Sequence, residues 1–325
     1  MSGMSSMFSI SRISNRSSYK LSSNTYECNL YENLDKINIP DVIINIIINY
    51  TQFAGILKHT LTGHTDSIDC LVVLDNGDLV SGSHDSTIKI WRDTKLINTL
   101  RGHDSTVWSL AVLHNGDLAS GSSDTTINIW RNEKLINTLR GHTDTVLCLL
   151  ALQNGDLASG SCDHSIKIWR GNLLINTLSG HKNSVLCLAV LQNGDLASGS
   201  YDNSIKIWRG NLLINTLSGY KDSVNYLAIL PNGDLVSVSY KTIIIWRNSK
   251  MLHISTSRDL NPIWSLIVLP NGDIAYGSND TIKIWRNNMI NNTLYGHNYG
   301  INCLALLPNG GLASGSSDHT IKIWY

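Results

Sequence analysis

The sequence carries no excess charge of either sign: 25 basic and 25 acidic side chains cancel over 325 residues. That balance leaves no long-range attraction for nucleic acid or an anionic membrane surface, so neither is expected as a partner. A long apolar run is also missing. The run from Val42 to Ile48 is interrupted by Asn45 and falls far short of the roughly 20 residues a membrane-spanning helix needs. No hydrophobic signal-peptide core is visible, which points to an intracellular location, cytoplasmic or nuclear. Close cysteine pairs are absent too. None of the six cysteines has the C-x-x-C spacing of a zinc site or redox motif.

What the chain does have is a period. Trp91, Trp130, Trp169, Trp208, Trp246, Trp285 and Trp324 follow one another at steps of 39, 39, 39, 38, 39 and 39 residues. Self-similarity at a period of about 40 marks a repeat architecture. The third repeat, Gly141 to Leu178, shows the unit. Val146 to Leu152 is an almost wholly apolar run, as in a strand buried on both faces. Asn154-Gly155-Asp156 is a hairpin signal that predicts both turn residues at positive φ. Leu157 to Ser161 reads as a second strand of small side chains. Asp163-His164 turns into Ser165 to Trp169, and Gly171-Asn172 turns into Leu173 to Leu178. Each unit is a four-stranded antiparallel meander without a helix. One such sheet cannot bury both faces, so the copies must stack radially. Cys70, Cys148, Cys187 and Cys303 share one repeat-equivalent position, where Ser109 and Ser265 substitute; they read as small buried residues, with Cys28 and Cys162 as singles.

Gly63-His64, Gly102-His103, Gly141-His142, Gly180-His181 and Gly296-His297 open most units. With the closing tryptophans, these pairs resemble the WD-repeat (WD40) β-propeller family. The resemblance covers residues 56–325 and implies an all-β, seven-bladed propeller. The seventh unit ends at Tyr325 without a fourth strand, and Ile56 to Leu61 matches the fourth-strand pattern of Leu96 to Leu100. The N-terminal strand is therefore expected to complete the last blade. One departure is uniform: the aspartate that normally follows the tryptophan is arginine in six repeats.

The histidine, the aspartate of the second turn and the tryptophan recur as His64/Asp85/Trp91, His103/Asp124/Trp130, His142/Asp163/Trp169, His181/Asp202/Trp208 and His297/Asp318/Trp324. With a strand serine (Ser81 or Ser83 in the first unit) the set looks like Ser-His-Asp catalysis. Five interchangeable copies argue otherwise, and the resemblance implies a structural hydrogen-bonded chain in each blade. The set fails in the fifth unit, where Tyr220 replaces histidine, and in the sixth, where Arg258-Asp259 stand in place of Gly-His. Both units also lack one turn residue. Blades five and six are expected to be the softest. A second set, Asp78, Asp117, Asp156, Asp195, Asp234 and Asp273, lies across from Arg92, Arg131, Arg170, Arg209, Arg247 and Arg286, which predicts a cross-strand ion pair in six blades. The seventh unit loses both members together, with Gly311 and Tyr325.

By the resemblance, the loop into the first strand and the second turn lie on the rim that usually binds partners. The bulge position reads Asp69, Trp108, Leu147, Leu186, Asn225, Trp264 and Asn302. The turn position reads His84, Ser123, Cys162, Tyr201, Asn279 and Ser317, with Tyr240 uncertain in register. These positions vary where their neighbours do not. Trp108, Leu147, Leu186 and Tyr201 form an apolar arc over blades two to four, with Trp264 across the ring, as in an interaction hot spot. The alternative reading of Leu147 and Leu186 is that they plug the central channel. The expected function is a non-catalytic scaffold binding a protein or peptide, a monomeric propeller within a larger assembly, with no cofactor and no metal.

Residues 1–35, serine-rich with Arg12, Arg16 and Lys20, read as a disordered tail, a transit peptide being the less favoured alternative. Residues 36–55 look like a short helix: Pro40 at a first-turn position precedes Val42, Ile43, Ile46, Ile47 and Tyr50 at helical spacing. The segment resembles the first helix of an F-box, which would make the chain a substrate receptor of a ubiquitin ligase. Too few residues separate it from the closing strand for a whole F-box.

Overall fold

The computed structural model describes residues 55–256, 261–286 and 289–325. The tail, the helix-like segment up to residue 54 and the Arg258-Asp259 pair lie outside the described residues. Within them the chain forms seven antiparallel sheets of four strands each. Blade one consists of Ile68–Val73, Leu79–Ser83, Ile88–Arg92 and Lys95–Leu100. The first strand of each blade packs on the first strand of the next, round to the seventh against the first. Blade seven takes Ile301–Leu306, Leu312–Ser316 and Thr320–Trp324 from one end of the ring and Leu57–Thr62 from the other. Leu61 sits opposite Ile321 and Thr62 opposite Thr320, so the closing strand is in place as the sequence predicts.

The tryptophans are wedges between blades. Trp130 of blade two packs with Val80, Ile88, Ile90 and Leu100 of blade one, and Trp91 of blade one with Ile321 and Ile323 of blade seven. The glycine of each Gly-His pair leaves room for the indole: a Cβ on Gly102 would stand 2.9 Å from the Trp130 ring. Small residues in the second strand let neighbouring blades approach. A Cβ on Gly82 would meet Cys70 Sγ at 2.5 Å and Val107 of blade two at 2.7 Å.

The first hairpin differs from the two-residue turn its Asn-Gly signal predicts. Gly77 has φ 87°, while Asn76 keeps a negative φ. The Gly77 amide donates to the Leu74 carbonyl and the Leu74 amide to that of Asp78, at 2.8 and 2.9 Å. This is a type I turn followed by a left-handed glycine, the three-residue hairpin in which the glycine bulge restores the strand twist. Asn76 acts through its side chain, whose Oδ1 accepts from the Asp78 amide at 3.0 Å. The paired positive-φ geometry appears two hairpins later, at Asp93-Thr94 in blade one and Asn132-Glu133 in blade two.

Candidate functional site

Three polar systems are built on this frame, and one of them lines the mouth of the central channel. The first is the chain of tryptophan, serine, histidine and aspartate. In blade three Trp169 Nε1 donates to Ser159 Oγ at 2.8 Å, and His142 bonds Ser159 Oγ and Asp163 Oδ2 at 2.7 Å each. An ionised carboxylate only accepts, so Nδ1 carries the imidazole proton and Nε2 receives the serine hydroxyl. Burial lowers the His142 pKa against the pull of Asp163 and keeps the ring neutral. Burial would raise Asp163, but hydrogen bonds from Ser165 and His142 outweigh it and bring the carboxyl to about 2. The same chain is present in blades one, two, four and seven. His142 is 1% exposed at its side chain. A catalytic base needs access to a substrate, and the His142 ring has almost none.

Blade five keeps half of this chain. Tyr220 Oη bonds Ser237 Oγ at 2.6 Å and Trp246 Nε1 donates to the same oxygen at 2.8 Å. In blade six Tyr276 stands in the serine column, and His253, from the outer strand of blade five, lies beside Trp285 with ring centroids 6.1 Å apart. Among the described residues His253 Nε2 has no hydrogen-bond partner.

The second system is the set of ion pairs at the opposite end of the strands. Arg92 Nε and Nη2 reach Asp78 Oδ1 and Oδ2 at 2.8 and 2.7 Å, and the same fork joins the other five pairs. The predicted six pairs are all present. The arginine hydrogen bonds hold Asp78, Asp117, Asp156, Asp195 and Asp234 below the ordinary carboxylate range. In blade seven the Tyr325 ring takes the place of the pair: a Cβ on Gly311 would collide with it at 2.7 Å.

The third system is the channel mouth. In all seven blades the first strand carries a bulge, at Asp69, Trp108, Leu147, Leu186, Asn225, Trp264 and Asn302. A bulged residue has no partner on the second strand and is re-aimed. These seven, with His84 and Tyr201, line one cavity of about 730 Å³. Of the other turn residues assigned to this face, Cys162 and Ser317 also line it, while Ser123, Asn279 and Tyr240 do not. Trp264 and Tyr201 are about half exposed, at 47% and 55%. Leu147 and Leu186 are half-buried and form its apolar wall.

Trp108 departs from its expected role as an open anchor. Its indole donates to Ser123 Oγ at 2.7 Å, and its ring meets His84 edge-on with centroids 5.0 Å apart. The two bulge asparagines are also engaged: Asn302 Nδ2 donates to Ser67 Oγ, the Ile68 carbonyl and Ser317 Oγ across the seam between blades seven and one, and Asn225 Oδ1 accepts from Ser223. Asp69 is the exception. Among the described residues its Oδ2 has no hydrogen-bond partner; His84 Nδ1 stands off at 3.5 Å. Burial first, then the nearby Asp66, push its carboxyl up to about 7.

One residue of this site escapes the sequence reading. Tyr226 occupies the blade-five position of the cysteine column. It faces Val238, where other blades have glycine or Ser278's neighbour Gly277, so its ring has no room toward the second strand. It crosses the channel instead, and its hydroxyl donates to the Asn302 carbonyl of blade seven at 3.1 Å. A single outlier in an otherwise small-residue column was the available signal.

The family model for the WD domain, G-beta repeat, matches residues 55–92, 94–131, 133–170, 172–209, 211–247 and 289–325. The stretch it leaves between 247 and 289 holds the outer strand of the fifth blade and the first three strands of the sixth, the unit whose sequence lacks the Gly-His pair. Among solved structures, the crystal structure of the WD40 β-propeller domain of Doa1 is similar, with a TM-score of 0.76 and 27% identity over 83% of this chain and 96% of that one. Among the described residues no helix is long and apolar enough to cross a membrane.

Proposed function

Because the chain belongs to the WD-repeat β-propeller family, whose members generally serve as protein-interaction scaffolds, we propose that its channel mouth is the binding face for a peptide or protein segment, held without catalysis. One observation carries this reading: the seven bulges, where the repeats change from aspartate to leucine, asparagine and tryptophan, all open on one cavity. A repeated frame needs no such variety for its own stability. Trp264 and Tyr201 offer broad, rigid, partly open aromatic faces of the kind that dominate binding energy. The five serine-histidine-aspartate sets are closed inside the blades and support no enzyme. The test is quantitative affinity capture with the wild type, Trp264→Ala and, at the opposite face, Arg170→Ala. Partners lost only with Trp264→Ala support the proposal. Identical partner sets for all three proteins overturn it.

A further inference from the structure

The cavity has one chemical peculiarity. Of the residues that line it, none is lysine or arginine, and its one carboxylate is Asp69. That side chain is 6% exposed, and its Oδ2 has no hydrogen-bond partner among the described residues. A buried polar atom without a partner costs free energy, so native structures almost always provide one. His84 does not: at 3.5 Å its Nδ1 makes no hydrogen bond, and its ring is already set edge-on against Trp108. Asn302, next to it across the seam, has its amide donors committed to Ser67, Ile68 and Ser317. Tyr226 has given its hydroxyl proton to the Asn302 carbonyl. Asp69 is near enough to act on Tyr226 electrostatically, so the tyrosine oxygen adds lone pairs, not a donor, to this wall. The His84 amide serves the carboxyl, but the His84 ring stands off at 3.5 Å and the donors of Asn302 and Tyr226 are spent, so Oδ2 is left open to a donor from outside.

We propose that the channel mouth contains a subsite for a primary ammonium group, a lysine side chain of the bound segment, with Asp69 as its counter-charge. The proposal rests on the reading of this face as the binding face and adds what it selects. A single open oxygen suits a compact point charge; a guanidinium, with five donors in a planar fork, matches two oxygens side by side. The aromatic walls at Trp108 and Trp264 fit the four-carbon stem and the cation at its tip.

The test uses the full chain and fluorescent pools of short peptides, randomised except for a central lysine, arginine, Nε-acetyl-lysine or norleucine. The lysine pool is expected to bind about tenfold tighter than the norleucine and acetyl-lysine pools. Asp69→Asn should bring the lysine pool down to the norleucine level without moving the norleucine pool, and Trp264→Ala should weaken all pools. The acetyl-lysine arm tests the charge on the unmutated protein, so the result does not hang on how the variant folds. Equal binding of lysine and norleucine, both dependent on Trp264, removes the subsite and leaves the binding face standing. An arginine pool as tight as the lysine pool overturns the choice of ammonium. Binding by no pool overturns both readings.

Discussion

The interior of the blades and the mouth of the channel are built from the same repeats but treat their polar groups in opposite ways. Inside the blades, donors and acceptors close on one another, from Trp169 through Ser159 and His142 to Asp163. At the mouth, a carboxylate oxygen is left without a donor, and two large aromatic side chains stand half in water. The difference teaches that the repeat is a solved packing problem, copied, and that the departures from it collect where the strands bulge into the channel. Blades five and six refine the point. They lose part or all of the histidine chain, yet keep the tryptophan wedge and the Asp–Arg pair, so wedge and pair suffice to hold a blade.

This contrast can be broken experimentally. The largest effect belongs to the wedge. Trp169→Ala should cost about 3–5 kcal/mol in chemical denaturation, and Trp285→Ala, in a blade without the histidine chain, about as much. A much smaller loss at Trp285 would show that the wedge is not what the two blades share. Trp264→Ala should leave the denaturation midpoint close to wild type while binding is lost.

Next comes Asp69. Its folded carboxyl is raised to about 7, above an unfolded value of about 4. The folded state therefore holds the proton more tightly, and the cost of burying the charge is absent below about pH 4 and complete above about pH 7. Asp69→Asn should raise stability at pH 8, by up to about 4 kcal/mol if the whole shift is relieved, and leave it unchanged at pH 4. A loss at pH 8 would mean that Asp69 has a structural partner after all.

The third effect has the opposite sign. Asp163 accepts from His142, the Thr143 amide and Ser165, so Asp163→Asn should cost about 2–3 kcal/mol at pH 7. Its folded pKa, about 2, lies below the unfolded one. The stability it supplies is full above about pH 4 and is lost as pH falls through that window. The lowered pKa values of His142 and His181 act in the same direction nearer neutrality. Acid titration of the wild type and Asp163→Asn should converge at low pH; parallel curves would count against the ionised carboxylate. The smallest effect is at the strut across the channel: Tyr226→Phe should cost about 1 kcal/mol, read as a shift in thermal midpoint.

Much of this was legible in the residues. The tryptophan spacing marked the blades, the lone strand before Gly63 marked the closure, and the joint loss of aspartate and arginine in the seventh unit, to Gly311 and Tyr325, marked the Asp–Arg pairs. The bulge positions could be named because variation within an otherwise repeated column is visible without a structure. What stayed hidden depends on side chains meeting across repeats. Trp108 reads as an open anchor until His84 of the preceding blade and Ser123 are seen around it. Tyr226 reaches blade seven because Val238 blocks its own blade, a steric fact in two columns at once. The Asn76-Gly77 turn was misjudged for a local reason: Asp75 joins the loop, so that Leu74 and Asp78 close it as a three-residue turn.

The closing strand has a consequence in time. Thr60 accepts from Lys322, a partner 262 residues further along the chain. During synthesis Leu57–Thr62 emerges early and then waits, an unpaired ribbon, while six blades form behind it. Until Thr320–Trp324 arrives, two raw sheet edges stay open to pairing, and contacts this distant are slow to form. The ring passes through its most vulnerable moment just before it is whole.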